Sequence, residues 1–301
     1  MSDQVWVVGE VLIDLIPNGN EHLAVVGGGP ANAAKALAKL GVKTYFIDGI
    51  SNDEYGQIAK HELISAHVSL DYAQYSNKPT CTAKVILSSS GSASYEFVIE
   101  DTATFDFSHQ WLPDPQKIKP SLLHIGTLAT VIEPGASVLF KWAQSVANVA
   151  PIVFDPNIRP AVMDKRGEYM KMVEKWVAIS SAVKVSDEDL NWLYPGKVID
   201  QIVNEWLEVG VELVVVTLGD KGITAYRRNE QTSVDAVKVV VADTVGAGDT
   251  VGAVLVEAIV NNGLDKLTGK VLKTMLNRAV KAAAITVSRT GANPPSKEEI
   301  D

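Results

Sequence analysis

The chain has 301 residues, 47% hydrophobic and 21% charged, which is enough apolar material for a sizeable core and too ordinary a charge for wholesale disorder. Its net charge of −9 argues against a nucleic-acid partner, because phosphate backbones are gripped by Lys and Arg. The one cysteine, Cys81, leaves no internal disulfide, fits a reducing cytoplasm, and reads as a small apolar residue rather than a nucleophile.

The start, Met-Ser-Asp-Gln-Val-Trp, lacks the basic-then-apolar pattern of a signal peptide, and no run of about 18 apolar residues offers a membrane span. A cytoplasmic protein without a membrane partner is expected. The first predicted strand is Val5–Gly9, followed by an extended stretch, Val11–Val26, and a helix, Ala31–Leu40. Next come a strand at Thr44–Gly49 and a helix at Tyr55–Ser65. From Ser69 to Phe107 the rhythm changes to short strands, with a turn at Ser88–Ser92, and a Pro-rich connection follows at Leu112–Pro120. Strands then alternate with helices: Leu122–Ile125, Pro134–Ala147, Ile152–Asp155, Tyr169–Ser180, Ala182–Val185, Val198–Val209 and Leu213–Thr217. Two further helices, Thr250–Asn262 and Leu267–Ser288, complete the pattern. Continuously apolar strands between helices predict an α/β fold, a mostly parallel central sheet covered on both faces. Residues 11–26 and 69–107 are read as a small β-sheet leaving the main body (1–10, 27–68 and 108–301), either a lid or a decorative insertion.

The segment with most chemistry is Val239-Val-Val-Ala-Asp-Thr-Val-Gly-Ala-Gly-Asp249. A β-branched run gives way to a glycine-rich turn, and a helix starts near Ala247. That places free backbone N–H groups of Gly246, Ala247 and Gly248 at the positive end of a helix, a seat for an anion. Asp249 falls in the first turn, where it would either cap the helix or take a proton from a hydroxyl attacking a phosphoryl group. The spacing Gly246-x-Gly248-x-x-x-Gly252 is too long for a dinucleotide fingerprint, and no Walker pattern occurs. Earlier in the chain, Gly27-Gly-Gly-Pro-Ala-Asn32 opens a helix with bare backbone, and Asp14 interrupts an apolar run, as a structural or a ligand-holding carboxylate. The five histidines are scattered, with no spacing typical of a zinc site.

Together these motifs resemble the ribokinase-like (PfkB-type) carbohydrate kinases, and among them the fructokinases most. Gly27–Asn32 and Asp243-Thr-Val-Gly-Ala-Gly-Asp249 look like the two family signatures, and Asp53-x-x-Gly56, Asp155-Pro-Asn-Ile-Arg159, Lys184-Val-Ser186, Thr217-Leu-Gly-Asp-Lys-Gly222 and Arg289-Thr-Gly-Ala-Asn-Pro294 extend the resemblance over nearly the whole chain. The resemblance implies a ribokinase-like fold with a lid over the sugar site. It implies ATP with Mg2+, and in some members K+. Asp249 would be the base and Gly246, Ala247 and Gly248 the anion hole. Asp14, Gly28, Gly29, Asn32 and Arg159 would hold the sugar or the transferred phosphate. Lys184, Ser186, Thr217, Gly219 and Gly222 would line the nucleotide site, Asn157 and Asp189 would organise metal-bound water, and Asp243 with Val245 would hold the monovalent cation. It also implies a homodimer through the lid.

Three departures matter. Where relatives carry Ser-x-x-Glu, this chain has Ser186-Asp-Glu-Asp189, leaving Glu188 or Asp189 for the magnesium site. Val245 replaces a Thr of the base motif. Glu100 and Asp101 in the lid would repel an acidic sugar. The reading is phosphorylation of a small neutral sugar, D-fructose to fructose 6-phosphate. The alternatives are a ribose, nucleoside or 2-keto-3-deoxygluconate kinase, and a sugar-binding sensor without catalysis.

Overall fold

A computed structural model describes residues 3–19, 21–87 and 93–301, so the turn expected at Ser88–Ser92 lies outside the described residues. In chain order the first half holds β1 (Val5–Val8), β2 (Leu12–Asn18), β3 (Glu21–Gly27), α1 (Gly29–Lys39), β4 (Thr44–Ile47), β5 (Gly49–Ser51), α2 (Glu54–Ser65), β6 (Gln74–Ser76), β7 (Thr82–Leu87), β8 (Ala93–Val98), α3 (Pro115–Ile118), β9 (Leu122–Gly126) and α4 (Gly135–Ala147). The second half holds β10 (Ile152–Asp155), α5 (Arg166–Val177), β11 (Ala182–Ser186), α6 (Asp187–Leu193), α7 (Ile199–Glu208), β12 (Leu213–Thr217), β13 (Ile223–Arg227), β14 (Glu230–Val234), α8 (Ala247–Asn262), α9 (Gly269–Val287) and α10 (Lys297–Ile300).

The main sheet runs β14-β13-β12-β11-β10-β9-β1-β4. Its strands from β4 to β12 are parallel, and β13 and β14 are antiparallel additions at one edge. Helices on both faces explain why the parallel strands are apolar at consecutive positions. In β1, Val5 and Val7 enter the core shared with α1, α8 and α9, while Trp6 and Val8 enter the core shared with α4, α5 and α7. Parallel strands all end on the same edge, so Val8, Ile47, Gly126, Asp155, Ser186 and Thr217 line up there, as the registers Val8↔Ile47, Val8↔Ile125, Asp155↔Gly126 and Ser186↔Thr217 require. Loops leaving that edge carry the polar chemistry.

A second sheet, β3-β2-β7-β8, stands apart from the first, and β5 pairs with β6 alone. Alternation places Asp14 and Ile16 on one face of the small sheet with their cross-strand partners Val25 and Leu23. Residues 99–107 form no strand, and Ala103 and Thr104 are buried.

The sequence reading missed the short helices α6 and α10. The β-branched run Val239–Val241 is irregular, with Val240 89% exposed. The hairpin β13–β14 went unread because Glu230–Val234 alternates polar residues along an exposed edge, leaving little hydrophobic signal.

Trp176 fastens α5 beneath the turn that follows β9. It packs against Phe140 and Phe154, and its indole N–H donates to the Thr130 carbonyl at 3.1 Å. Trp176→Ala should cost about 3–5 kcal/mol through the cavity it leaves, read as a lowered urea midpoint. A midpoint unchanged from wild type would refute this account of the core.

Candidate active site

The site forms where the start of α1 meets the start of α8 above the main sheet. Gly28 has a φ of 102°, and a Cβ there would lie 2.3 Å from the Glu10 carbonyl oxygen, so no other residue lets the chain turn so closely into α1. A Cβ on Gly29 would lie 2.8 Å from Asn157 Nδ2, 2.9 Å from Thr127 Cγ2 and 3.2 Å from Asp249 Oδ1. The bare backbone at Gly29 therefore lets an amide, a methyl group and a carboxylate close in, so tightly that a Cβ would have to displace them, and the gap beside Gly29 is the narrow approach these three groups border. Asn32, one turn into α1, donates from Nδ2 to Asp249 Oδ2 at 3.0 Å, which turns Oδ1 toward the gap. The Asn32 Oδ1 atom is buried without a partner.

Gly246, with φ 80°, caps α8, and the Thr250 N–H donates back to its carbonyl at 2.9 Å. Of the three amides expected to be free, that of Ala247 instead donates to the Thr244 carbonyl at 3.4 Å, closing the turn, while the amides of Gly248 and Asp249 precede the first i−4 bond, ready for an anion. Asp249 is 8% exposed. Burial pushes its carboxyl up to about 6, Lys184 pulls it down, and Asp155 pushes it up again. That value suits a base that is ionised at neutral pH yet able to hold a proton.

Beneath that helix start lies a buried ion pair, Lys184 Nζ to Asp155 Oδ2 at 2.9 Å. A Cβ on Gly248 would approach Lys184 Nζ to 2.8 Å, so the ammonium lies directly under the amide cluster. Burial opposes the charge on Lys184, but Asp155 and Asp249 outweigh it and hold its pKa above the usual lysine value. The other Asp155 oxygen, Oδ1, is buried and has no partner among the described residues. Asp189 turns inward from the first turn of α6, while Glu188 is exposed. Burial and the nearby Asp155 raise the Asp189 carboxyl, against Lys184 and the bonds it accepts from the amides of Ser186 and Ile158. Ser186 serves as the N-cap of α6, accepting from the Asp189 amide at 3.0 Å, a use the sequence reading did not foresee.

Thr217 lies beside Ser186 in register, and Gly219 and Gly222 form the turn into β13. A Cβ on Gly222 would meet the Val234 carbonyl at 2.1 Å, so packing against β14 already accounts for that glycine. Asp243 joins two loops: Oδ1 accepts from the Val245 amide at 3.0 Å and Oδ2 from the Gly291 amide at 2.9 Å.

Asp14 accepts no hydrogen bond from a described side chain. Burial pushes its carboxyl up to about 6, and the Arg159 guanidinium pulls it down. Arg159 is exposed; its guanidinium donates to the carbonyls of Asn157 and Ile158, its backbone amide donates to the Tyr169 hydroxyl at 3.3 Å, and its charge steadies that on Asp249. Asp101 pairs with Lys78 at 3.2 Å on an exposed surface, and Lys78 also pairs with Asp106. Asn157 sits beside Gly29 with a φ of 39°.

Two buried carboxyls escaped the sequence reading. Glu10 accepts from the Thr127 hydroxyl and from the Ala129 amide. Asp48 accepts from the amides of Val11 and Gly49 at 2.9 and 2.8 Å. Burial raises Glu10 to about 7, offset by Thr127, and raises Asp48 well above the usual carboxylate range. An acidic residue one position past a strand was the available signal.

The family profile described as pfkB family carbohydrate kinase matches residues 2–299. A fructokinase of Rhizobium leguminosarum bv. trifolii is 34% identical over 250 residues, spanning 81% of this chain and 76% of the relative. A Klebsiella pneumoniae fructokinase is 28% identical over 308 residues, spanning 100% of this chain and 99% of its own. The structure of a fructokinase double mutant from Vibrio cholerae O395, in fructose, ADP and potassium ion bound form, shares 27% identity and a TM-score of 0.84, covering 96% of this chain and 93% of that one. The Xylella fastidiosa fructokinase with bound ATP reaches a TM-score of 0.90 at 22% identity, covering 100% and 97%, a likeness of fold.

Asp249 and Asp14 both keep their protons to higher pH than free carboxyls, each to about 6. If the ionised forms are the working ones, kcat/KM should rise as pH rises through about 6 and level off above it. A profile flat down to about pH 5 would overturn the assignment. Gly29→Ala would force Asn157 and the Thr127 methyl group away from their places beside Asp249, so it should lower kcat/KM by about 100-fold while the circular dichroism spectrum is kept.

Proposed function

The chain belongs to the pfkB family of carbohydrate kinases and is a sugar kinase, and we propose that it transfers the terminal phosphoryl group of ATP to a hydroxyl of D-fructose, giving fructose 6-phosphate and ADP. The observation that carries this reading is the Asp249 oxygen facing the gap beside Gly29, next to the free amides that begin α8. The acceptor hydroxyl approaches Asp249 Oδ1 over the bare backbone of Gly29. Its proton passes to Asp249 as its oxygen bonds to the terminal phosphorus, and the bond from that phosphorus to the ADP oxygen breaks. The amides of Gly246 and Gly248, with Lys184 below them, hold the charge spread over the transferring oxygens. Both are in place before the reaction, so no reorganisation is needed as charge develops.

Asp14, Asn32 and the backbone at Gly28 and Gly29 hold the sugar hydroxyls, and Arg159 closes the pocket over the transferred group. Lys184, Ser186, Thr217, Gly219 and Gly222 border the nucleotide. The residues suit magnesium: Asp155 offers a buried oxygen with no partner among the described residues, and Asp189 faces the same space. All are oxygen donors, the kind magnesium takes through its waters. Bound magnesium neutralises charge on the nucleotide phosphates. Asp155 and Asp189 would hold it through water, with Asn157 at the sugar side of that network. Asp243 and the backbone at Val245 would hold potassium, between the loops that Asp243 already bridges.

A panel of sugars in one ADP-release assay tests the acceptor. Fructose should give the highest kcat/KM, and a higher value for ribose, a nucleoside or 2-keto-3-deoxygluconate would move the assignment. Asp249→Asn should lower turnover by about 100-fold to 10,000-fold, with fructose binding retained by calorimetry. Fructose binding by wild type without ADP release would mean a sensor.

We also propose that the chain pairs through its small sheet. Ile16 and Leu23, paired across β2 and β3, are 40% and 54% exposed on the face that carries Asp14. A second copy of that face would cover them and complete the pocket rim. Light scattering should give the mass of a dimer, and Leu23→Lys should give a monomer. Wild type eluting as a monomer would refute the pairing.

A further inference from the structure

The catalytic arrangement above makes no use of Glu10, although it is one of the most buried acidic groups in the molecule. Glu10 follows the end of β1 and precedes the root of the small sheet. Its carboxylate reaches sideways and accepts from the Thr127 hydroxyl and, at 3.2 Å, from the Ala129 amide, both in the turn that leaves β9. Thr127 has a φ of 56°, a conformation a β-branched residue adopts only when its surroundings hold it there. Its methyl group is one wall of the gap beside Gly29, and the Glu10 carbonyl lies against Gly28. Next along the chain, Val11 is held at both ends: its N–H donates to Asp48, and its carbonyl accepts from Thr104 at 3.1 Å. The root of the small sheet and the wall of the gap are therefore tied together through one buried side chain.

We propose that Glu10 is a positioning residue for the phosphoryl acceptor: by holding Thr127 in its left-handed conformation, it sets the wall that presses the reacting hydroxyl toward Asp249. The inference rests on the acceptor approaching Asp249 over the backbone of Gly29, as in the kinase reading. Its effect is on alignment rather than on proton transfer, so it belongs to kcat more than to nucleotide affinity. A glutamine in place of Glu10 can still accept from the Ala129 amide while its own amide donates to the Thr127 oxygen, so hydrogen bonding rather than charge is the requirement.

The test is steady-state kinetics of the full chain with fructose and magnesium-ATP, for wild type, Glu10→Ala, Glu10→Gln, Thr127→Val and the double variant Glu10→Ala/Thr127→Val. Glu10→Ala and Thr127→Val should each lower kcat by about 10-fold or more with the KM for ATP unchanged. Glu10→Gln should stay within about 3-fold of wild type, because it restores both bonds. The double variant should be no slower than the worse single one, since both remove the same constraint. Should Glu10→Ala not fold, the nearly isosteric Thr127→Val, monitored by its thermal midpoint, carries the test alone. Losses that multiply, a KM for ATP that moves with kcat, or Thr127→Val matching wild type would each overturn the proposal. If wild type itself turns over no sugar, the kinase reading fails first; if wild type is active and the variants equal it, only the role of Glu10 falls.

Discussion

Everything at the active site depends on the buried pairing of Lys184 with Asp155 beneath the first turn of α8. An isolated ammonium at that depth would lose its proton, because burial disfavours the charged form. Asp155, Asp249 and Asp189 keep it charged, and in return its positive charge offsets part of the cost of burying three carboxylates. Breaking one partner from such a set leaves an uncompensated charge, which is far more costly than never having buried the set. Retention of so expensive an arrangement at the carboxyl edge of the sheet makes sense where a highly charged ligand must be received.

Above this pair, two chain segments far apart in sequence meet. Asn32 and Asp249 are 217 positions apart yet joined by one hydrogen bond. The bond spends one oxygen of Asp249 and leaves the other facing the gap beside Gly29. Burial raises the carboxyl enough to hold a proton for a moment and not enough to keep it protonated at neutral pH. The geometry and the electrostatics thus have a common source, the close approach of α1 and α8. That approach is permitted by glycine at the start of each helix.

The sequence was most legible where local chemistry is strict. Parallel strands covered on both faces must be apolar throughout, so β1, β4, β9, β10, β11 and β12 could be read from composition and length. A helix start rich in glycine announces an anion seat, because only free amides and bare backbone build one. Edge strands carry no such requirement, and β13 and β14 were missed. Of Glu188 and Asp189, sequence left the choice open, and the pitch of α6 turns Asp189 inward as its third residue.

Sequence alone determined the fold class, the two glycine motifs and the base candidate Asp249, because each follows from periodicity or from a residue type that local backbone geometry demands. Only the tertiary structure decided that Asp155 serves Lys184, that Ser186 caps α6, and that Glu10 and Asp48 are buried at the root of the small sheet. Apart from the Ser186 cap, which is local, these are pairings between segments tens to more than a hundred residues apart. A carboxylate carries no local mark of its eventual partner, since burial and partner are set by packing elsewhere in the chain.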